Sequence, residues 1–470
     1  MAIQDNNRLY NLLSPMVQFA CRCHYRSFVV RGKENLPTDG AYIFAPCHQQ
    51  ALMEPLAVLN VAPKPPVFLA RADIFKKPAL RRVLTFLKIM PVYRIRDGKE
   101  TLGQNQEVFD LCRDVLLDGY PLCLMAEGRH NNRHHLLPFG KGMFRIAGET
   151  QQRLADHPLY IVPTGIDFDD YERPYSCCVV NIGKPIAVQP FMDCYRANEP
   201  VALNRMRDAL AEALMPLMHD IRSDEHYDAI LTLCHVLNKA MRRRKGLRNN
   251  AWNRFRMRQL IAQSVEGAAR ETEGGPYEKM ILLGEKLRGQ CCRLHLDPKT
   301  VGEHWSLAAT LLVPAALLAV AAAVVAWRPL RMVTLFCLVC YPIPWLPTHS
   351  VVRRKVADPQ FRSSFNFGVR FALSIVYALA VGIVMAATGG MWMAGMAGIG
   401  AWWGLVAMAA VFAGAWLSGP IAGSLMDAGS NCRYWWLRLT RRRAMKEVES
   451  TVASINEVFP AAGNPLPEKP

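Results

Sequence analysis

Charged residues are missing from three stretches of this 470-residue chain: 305–327, 332–352 and 371–426 contain no Asp, Glu, Lys or Arg. The last is 56 residues long, more than the core of a soluble domain leaves uncharged, whereas a bilayer core takes about 20 apolar residues per helix. Metal-binding patterns are also missing. The fourteen cysteines are scattered, and Cys337 and Cys340, spaced as CxxC, have no second CxxC or His-x3-His pair to complete a zinc site. No metal is expected, and the cysteines read as reduced thiols. No Gly-x-Ser-x-Gly run is present, which excludes a serine nucleophile on a strand-to-helix elbow. The segment Met1–Tyr10 is polar with no apolar run after it, so a secretory signal is not expected. Long repeats and low-complexity segments are absent too.

The uncharged stretches divide into four expected membrane spans. Trp305 to Trp327 is one. Met332 to Leu346 is a second, shorter and interrupted by Pro342, Pro344 and Pro347. The third run holds two, near 371–388 and 393–418, with a turn at Gly389-Gly390. Arg353, Arg354, Lys355 and Arg362 lie between spans two and three. Arg433, Arg438, Arg441, Arg442, Arg443 and Lys446 follow span four. Basic loops stay in the cytoplasm, so a multi-pass protein of the cell (inner) membrane with both termini and the catalytic domain cytoplasmic is expected.

The net charge of +17 is not spread evenly: +7 belongs to 301–470 and +10 to 1–300. Basic residues cluster at Arg242, Arg243, Arg244, Lys245, Arg248, Arg254, Arg256 and Arg258, in a helical-looking run with Trp252 and Phe255. Beside membrane spans, such a cluster suits anionic lipid headgroups at ~1 kcal/mol per cation. Nucleic acid is not the expected partner. Near the start, Leu9 to Val30 mixes apolar and basic residues as an interfacial amphipathic helix would.

Residues 38–190 read as α/β. Strands are expected at Ala41–Ala45, Val67–Ala70, Pro121–Ala126, Tyr160–Ile166 and Cys178–Ile182, with helices at Leu52–Leu59, Ala79–Lys88 and Thr101–Leu117. Alternation of this kind implies a mostly parallel sheet covered by helices, with functional residues at strand carboxyl ends. Residues 200–290 carry helical periodicity. The expected division is an amphipathic membrane-associated helix over 1–30, an α/β domain over 31–195, a basic helical segment over 196–300, an all-α transmembrane bundle over 301–430 and a basic cytoplasmic tail over 431–470.

Four blocks carry chemistry. In the first, a strand ends at His48 and Glu54 follows. A histidine accepts a proton near neutral pH, and a carboxylate on its other ring nitrogen fixes tautomer and orientation. The second, Lys88-Ile89-Met90-Pro91-Val92-Tyr93-Arg94, ends on a cation. In the third, Ala126-Glu127-Gly128-Arg129 follows a strand, Gly128 allowing close backbone approach and Arg129 offering a planar fork for phosphate. Glu127 there suits positioning of that fork or of a substrate hydroxyl. The fourth is Val162-Pro163-Thr164-Gly165.

In this order the blocks resemble the glycerolipid acyltransferases, the family of lysophosphatidic acid acyltransferases. That family shows Asn-His-x4-Asp, then a block ending in arginine, then Phe-Pro-Glu-Gly-Thr-Arg-Ser, then Val-Pro-Val. Gly32-Lys33-Glu34-Asn35-Leu36-Pro37 before the first strand and Phe139-Gly140-Lys141-Gly142 after the third block match its flanks. The resemblance covers residues 20–190. Two departures stand out. The acid is Glu54, one position later than His-x4-Asp, aligning with variants that carry Asn-Ala-Leu-Met-Asp after His-Gln. No Thr separates Gly128 from Arg129, so Arg129 comes one position early.

The resemblance implies a membrane-bound O-acyltransferase moving a fatty acyl group from acyl-CoA or acyl carrier protein, as co-substrate and without a cofactor, to a lysophospholipid such as 1-acylglycerol-3-phosphate. His48 is the implied general base and Glu54 its orienting acid. Arg94, Arg129 and Lys141, with Glu127 and Gly128, would hold the acceptor. Competing readings are an acyltransferase for a phosphate-free lyso-aminolipid, a non-catalytic lipid-binding scaffold on the same fold, and a transporter. The last finds no intramembrane acid or base to mark an ion path.

Overall fold

The computed structural model describes residues 3–459 except 6, 94–101, 130, 132, 155–156, 172, 174, 269–274, 327–350, 353, 393–396 and 418. The chain divides into two compact units, one holding Met1–Arg173, Cys177–Met218 and Asp358–Ser364, the other Pro174–Ser176, His219–Ala357 and Phe365–Pro470.

The first unit is built on eight strands: β1 Ser27–Arg31, β2 Ala41–Pro46, β3 Val67–Arg71, β4 Ile89–Val92, β5 Leu122–Cys123, β6 Leu159–Phe168, β7 Cys177–Ile182 and β8 Ile186–Ala187. Their order is β1-β7-β6-β2-β5-β3-β4, with β8 beside β6. Strands β2 to β6 run parallel, whereas β7 and β8 are antiparallel to β6. The sheet is therefore mostly parallel, as expected, with an antiparallel margin that the period of apolar residues does not reveal. β1 was also unexpected: its first four residues fall within the stretch read as an N-terminal helix, yet Ser27–Arg31 pairs with β7 over five residues. Helix α1, Arg8–His24, is shorter than that stretch and begins at Asn7, whose side chain accepts from the N–H groups of Leu9 and Tyr10.

The remaining helices of this unit are α2 Met53–Val61, α3 Pro78–Phe86, α4 Leu102–Leu117, α5 Gly142–Leu154, α6 Met192–Ala197 and α7 Glu199–Leu214. Ile43, Val115, Leu122, Phe144, Ile161 and Leu210 share one core. α6 and α7 pack into it, so the sheet-bearing unit runs past residue 195 to Met218. Gly32 shows how tightly the margin is fitted. It takes φ +72°, and a Cβ there would lie 2.0 Å from the carbonyl oxygen of Ile182. Asn35 donates to that same oxygen at 2.9 Å. Only glycine fits the conformation and the gap, which accounts for the Gly32–Pro37 flank.

The second unit is helical: α8 Tyr227–Arg244, α9 Ala251–Ala268, α10 Pro276–Leu294, α11 Pro298–Glu303, α12 Leu307–Ala326, α13 Pro359–Trp392 from Phe365 onward, α14 Ala397–Leu417, α15 Gly419–Thr440 and α16 Arg442–Val458. Ile230, Leu233, Leu237, Ile261, Leu287, Val448 and Ile455 form its core. The segment 431–470 is thus not a free basic tail up to residue 459, because Val448, Ile455 and Phe459 are buried with α8 and α10. The basic cluster also needs revision. Arg242 is buried, its guanidinium donating to Asn238 at 2.9 Å and pairing with Glu303 at 2.5 Å, and Arg258 is buried as well. These two serve the helical core rather than a lipid surface, while Arg243, Arg244, Lys245 and Arg248 are exposed.

Among the described residues one helix is long and apolar enough to cross a membrane, Phe361–Ala387 with mean hydropathy 2.1. It lies within α13, which starts before the expected span and runs through Gly389-Gly390 to Trp392. The expected turn there does not form, since glycine keeps its helical N–H donor whereas proline lacks one. Trp305–Trp327 and 393–418 fall on α12 and α14, whose described apolar stretches are shorter, and Met332–Leu346 lies outside the described residues.

Ile455→Ala is expected to destabilise the helical unit by about 2–5 kcal/mol through the cavity it leaves. A thermal unfolding midpoint equal to that of the parent protein would contradict the packing of α16.

Candidate active site

Three parallel strands set the position of His48. β2 is central, with β5 on one side and β6 on the other. Its carboxyl end is pinned from both: Leu124 N–H donates to the Phe44 carbonyl at 3.1 Å, and Cys47 N–H donates to the Thr164 carbonyl at 3.2 Å. β3 and β4 extend the sheet on the β5 side, so the chain leaves β2 in one direction and later returns on the other. Ligands of open α/β sheets bind in the crevice at such a point.

His48 follows directly in the turn between β2 and α2. Its Nδ1 faces Glu54 Oε2 at 3.6 Å, with the histidine side chain 12% exposed and the glutamate fully buried. The other oxygen, Oε1, accepts from Gln49 N–H at 2.9 Å and Gln50 N–H at 2.5 Å. Glu54 is therefore both the partner of the ring and the post around which the turn is wound. The turn that follows His48 brings Glu54 back to the ring despite the six-residue separation. A separation of 3.6 Å exceeds a hydrogen bond, and such contacts often tighten only when substrate arrives. With Nδ1 turned to Glu54, the other ring nitrogen, Nε2, lies on the opposite side of the imidazole.

Glu127, in the turn after β5, is buried too. Its Oε1 accepts from His48 N–H at 2.7 Å and its Oε2 from Leu137 N–H at 2.9 Å. Through these contacts it joins the histidine turn to the loop that follows Arg129. Gly128 takes φ +61° in the turn closed by its N–H to the Met125 carbonyl at 3.0 Å. A side chain there is disfavoured by conformation, not by lack of room. Farther along, Gly140 N–H donates to the Ala126 carbonyl at 2.8 Å, so the loop closes on its own beginning. Arg129 and Lys141, near its two ends, are exposed cations. Arg94 lies outside the described residues.

The loop carries one group the sequence did not single out. His134 is buried, with Nδ1 at 2.9 Å from the Tyr171 hydroxyl and 3.4 Å from Asp167 Oδ1. Asp167 sits near the carboxyl end of β6, and the Tyr171 carbonyl accepts from the Gln50 side chain at 2.8 Å. The loop after Glu127 and the turn after His48 are thereby tied to one tyrosine. The run Arg129 to His135 holds two arginines and three histidines at close spacing, but only folding against β6 distinguishes His134 among them.

Cys47, next to His48, is not a nucleophile. It is buried, its Sγ accepts from Ile166 N–H at 3.1 Å, and burial pushes the thiol well above its usual range. All twelve described cysteines are free.

Residues 27–167 match the family model described as Acyltransferase. Residues 27–167 form an acyltransferase domain. The match begins at β1 and ends at Asp167, so it contains every site residue named above except Tyr171. Among solved structures, the chain is similar to the crystal structure of the 1-acyl-sn-glycerophosphate (LPA) acyltransferase PlsC from Thermotoga maritima, with 19% identity over 43% of this chain and 79% of that chain and a TM-score of 0.30. No curated protein sequence matches it.

Two outcomes follow for the acyltransferase domain. Glu127→Gln, which halves the acceptors for His48 and Leu137, should lower turnover by about 10- to 100-fold, the worth of a charged hydrogen bond, with little change in KM. A rise in KM alone would mean that Glu127 holds the acceptor. N-ethylmaleimide at pH 7 should leave Cys47 unlabelled in the folded protein while modifying the exposed Cys292 and Cys432, as read by peptide mass spectrometry.

Proposed function

We propose that this chain is a membrane-bound O-acyltransferase that transfers a fatty acyl group from a thioester, acyl-CoA or acyl carrier protein, to the free hydroxyl of a lysophospholipid such as 1-acylglycerol-3-phosphate. The observation that carries the reading is the pairing of His48 Nδ1 with the buried Glu54 at the carboxyl end of β2, inside an acyltransferase domain. Nε2 takes the proton of the acceptor hydroxyl as its oxygen attacks the thioester carbonyl. The tetrahedral intermediate collapses, the C–S bond breaks, and the departing thiolate recovers the proton from the imidazolium. No acyl-enzyme forms. Glu54 steadies the imidazolium while the charge lasts. Arg129 and Lys141 supply positive charge for the acceptor phosphate, and Arg94 is the third cation assigned to it.

General base catalysis contributes about 10²–10⁴-fold; the rest comes from holding two reactants together. Both substrates carry long acyl chains, and the membrane-crossing helix within α13 suits an enzyme that meets them in the bilayer. Multiple spans with both termini on the cytoplasmic side complete the reading, supported by the basic residues that flank the uncharged runs.

The test is acyl transfer from labelled acyl-CoA and acyl carrier protein to a panel of lysolipids by the purified full-length protein. His48→Ala should cut turnover by about 10²–10⁴-fold and Glu54→Gln should also cut it, both with donor KM nearly unchanged. Transfer unaffected by His48→Ala would overturn the mechanism. No transfer to any acceptor would favour a lipid-binding scaffold, and transfer confined to phosphate-free acceptors would move the substrate to a lyso-aminolipid.

A further inference from the structure

The mechanism makes no use of α3, and α3 is unusual. None of its nine residues is buried. So short a helix is not stable in water by itself, and an amphipathic helix in a folded domain turns its apolar stripe to the core. In α3 the stripe faces out: Leu80, Val83 and Leu87 are 41%, 51% and 41% exposed, and Ile74, just before the helix, is exposed as well. Spacings of three and four place Leu80, Val83 and Leu87 on one side. Arg81 and Arg82 on α3, and Lys76 and Lys77 just before it, are exposed, and no acid occurs from Lys76 to Lys88.

A neighbouring helix adds to this surface. Tyr10 of α1 packs edge-on against Phe86 of α3 with ring centroids 6.1 Å apart. Lys88, in a left-handed conformation just past α3, donates to the carbonyls of Ile3 at 3.1 Å and Asp5 at 3.0 Å. These contacts hold the start of α1 beside the end of α3, and α1 exposes Leu9 and Leu12.

We propose that α3, with the start of α1, is a lipid-docking surface that seats the acyltransferase domain on an anionic bilayer. An aliphatic stripe flanked by cations is the pattern of a helix lying in a membrane interface. The four cations match the negative surface potential of anionic lipids, and the one exposed acid just ahead of them, Asp73, is paired with Arg71. The same chain carries a helix that can cross a membrane, so a bilayer is the apolar phase within its reach. An acidic protein partner would answer the cations but not the aliphatic stripe. The proposal rests on the acyl-transfer reading for its purpose and not for its geometry.

The test uses the full-length protein with p-benzoylphenylalanine in place of Val83, reconstituted in vesicles of phosphatidylglycerol and phosphatidylethanolamine. Irradiation should attach a lipid at position 83, and far less at position 85 on the opposite side of the helix. Arg81→Gln together with Arg82→Gln should reduce the adduct by about fivefold for each cation removed. Equal labelling at 83 and 85, or no lipid adduct at 83, would overturn the proposal, as would a protein adduct formed there in preference to lipid when acyl carrier protein is added. Acyl transfer is assayed on the same sample, so a lipid adduct without transfer upholds the surface while removing the assigned reaction.

Discussion

A carboxylate with no solvent exposure must find its partners inside the fold, and the site of this protein depends on how Glu54 does so. One oxygen gathers two backbone N–H groups of the turn that carries His48, and the other faces the ring. Position and electrostatic support of the histidine thus come from one side chain. Glu127 repeats the principle from the neighbouring strand, taking the His48 N–H with one oxygen and the Leu137 N–H with the other. The histidine is suspended between two buried acids, each also bound to the backbone. Neither acid has freedom to move without unwinding a turn, which is what a site held to within a fraction of an ångström requires.

How much of this was legible in the sequence can be traced residue by residue. The central strands were, because a parallel strand buried on both faces reads as a short apolar run, as in Ala41–Ala45 and Tyr160–Ile166. His48 and Glu54 were legible as a pair through the resemblance of their block, not through spacing alone. The antiparallel β7 was found as a strand, but its direction is set by pairing with β6, which no local pattern records. Ser27–Arg31 was lost to a helix because its alternation is masked by the basic residues around it. The backbone contacts of Glu127 were not legible for another reason. Its partners are backbone N–H groups, and every residue has one, so sequence offers no sign of which will be used. His134 is similar: its burial against Asp167 and Tyr171 follows from a loop whose path is tertiary.

The helical unit teaches the same point through charge. A run of arginines looked like one surface, yet Arg242 and Arg258 lie inside. A buried guanidinium is tolerated where it is paired and hydrogen-bonded, and Glu303 and Asn238, sixty-one and four residues away, do this for Arg242. Net charge along a chain therefore overstates the cationic surface by the cations that the fold consumes. What is left over, in Arg243, Arg244, Lys245 and Arg248, is the part available to a partner.

The pairing of β1 with β7 has a consequence for biosynthesis. Ser27 is matched to Cys177, so the first strand made waits for the seventh. At roughly 5–20 residues per second on the ribosome, that interval is about 8–30 s. The backbone groups of Ser27–Arg31 stay without their final partner throughout, while β2 to β5, which do not need β1, are made well before β7. An exposed strand edge of that kind invites wrong pairing. β1 is five residues long and ends on an exposed arginine, and both features limit what it could join in the meantime.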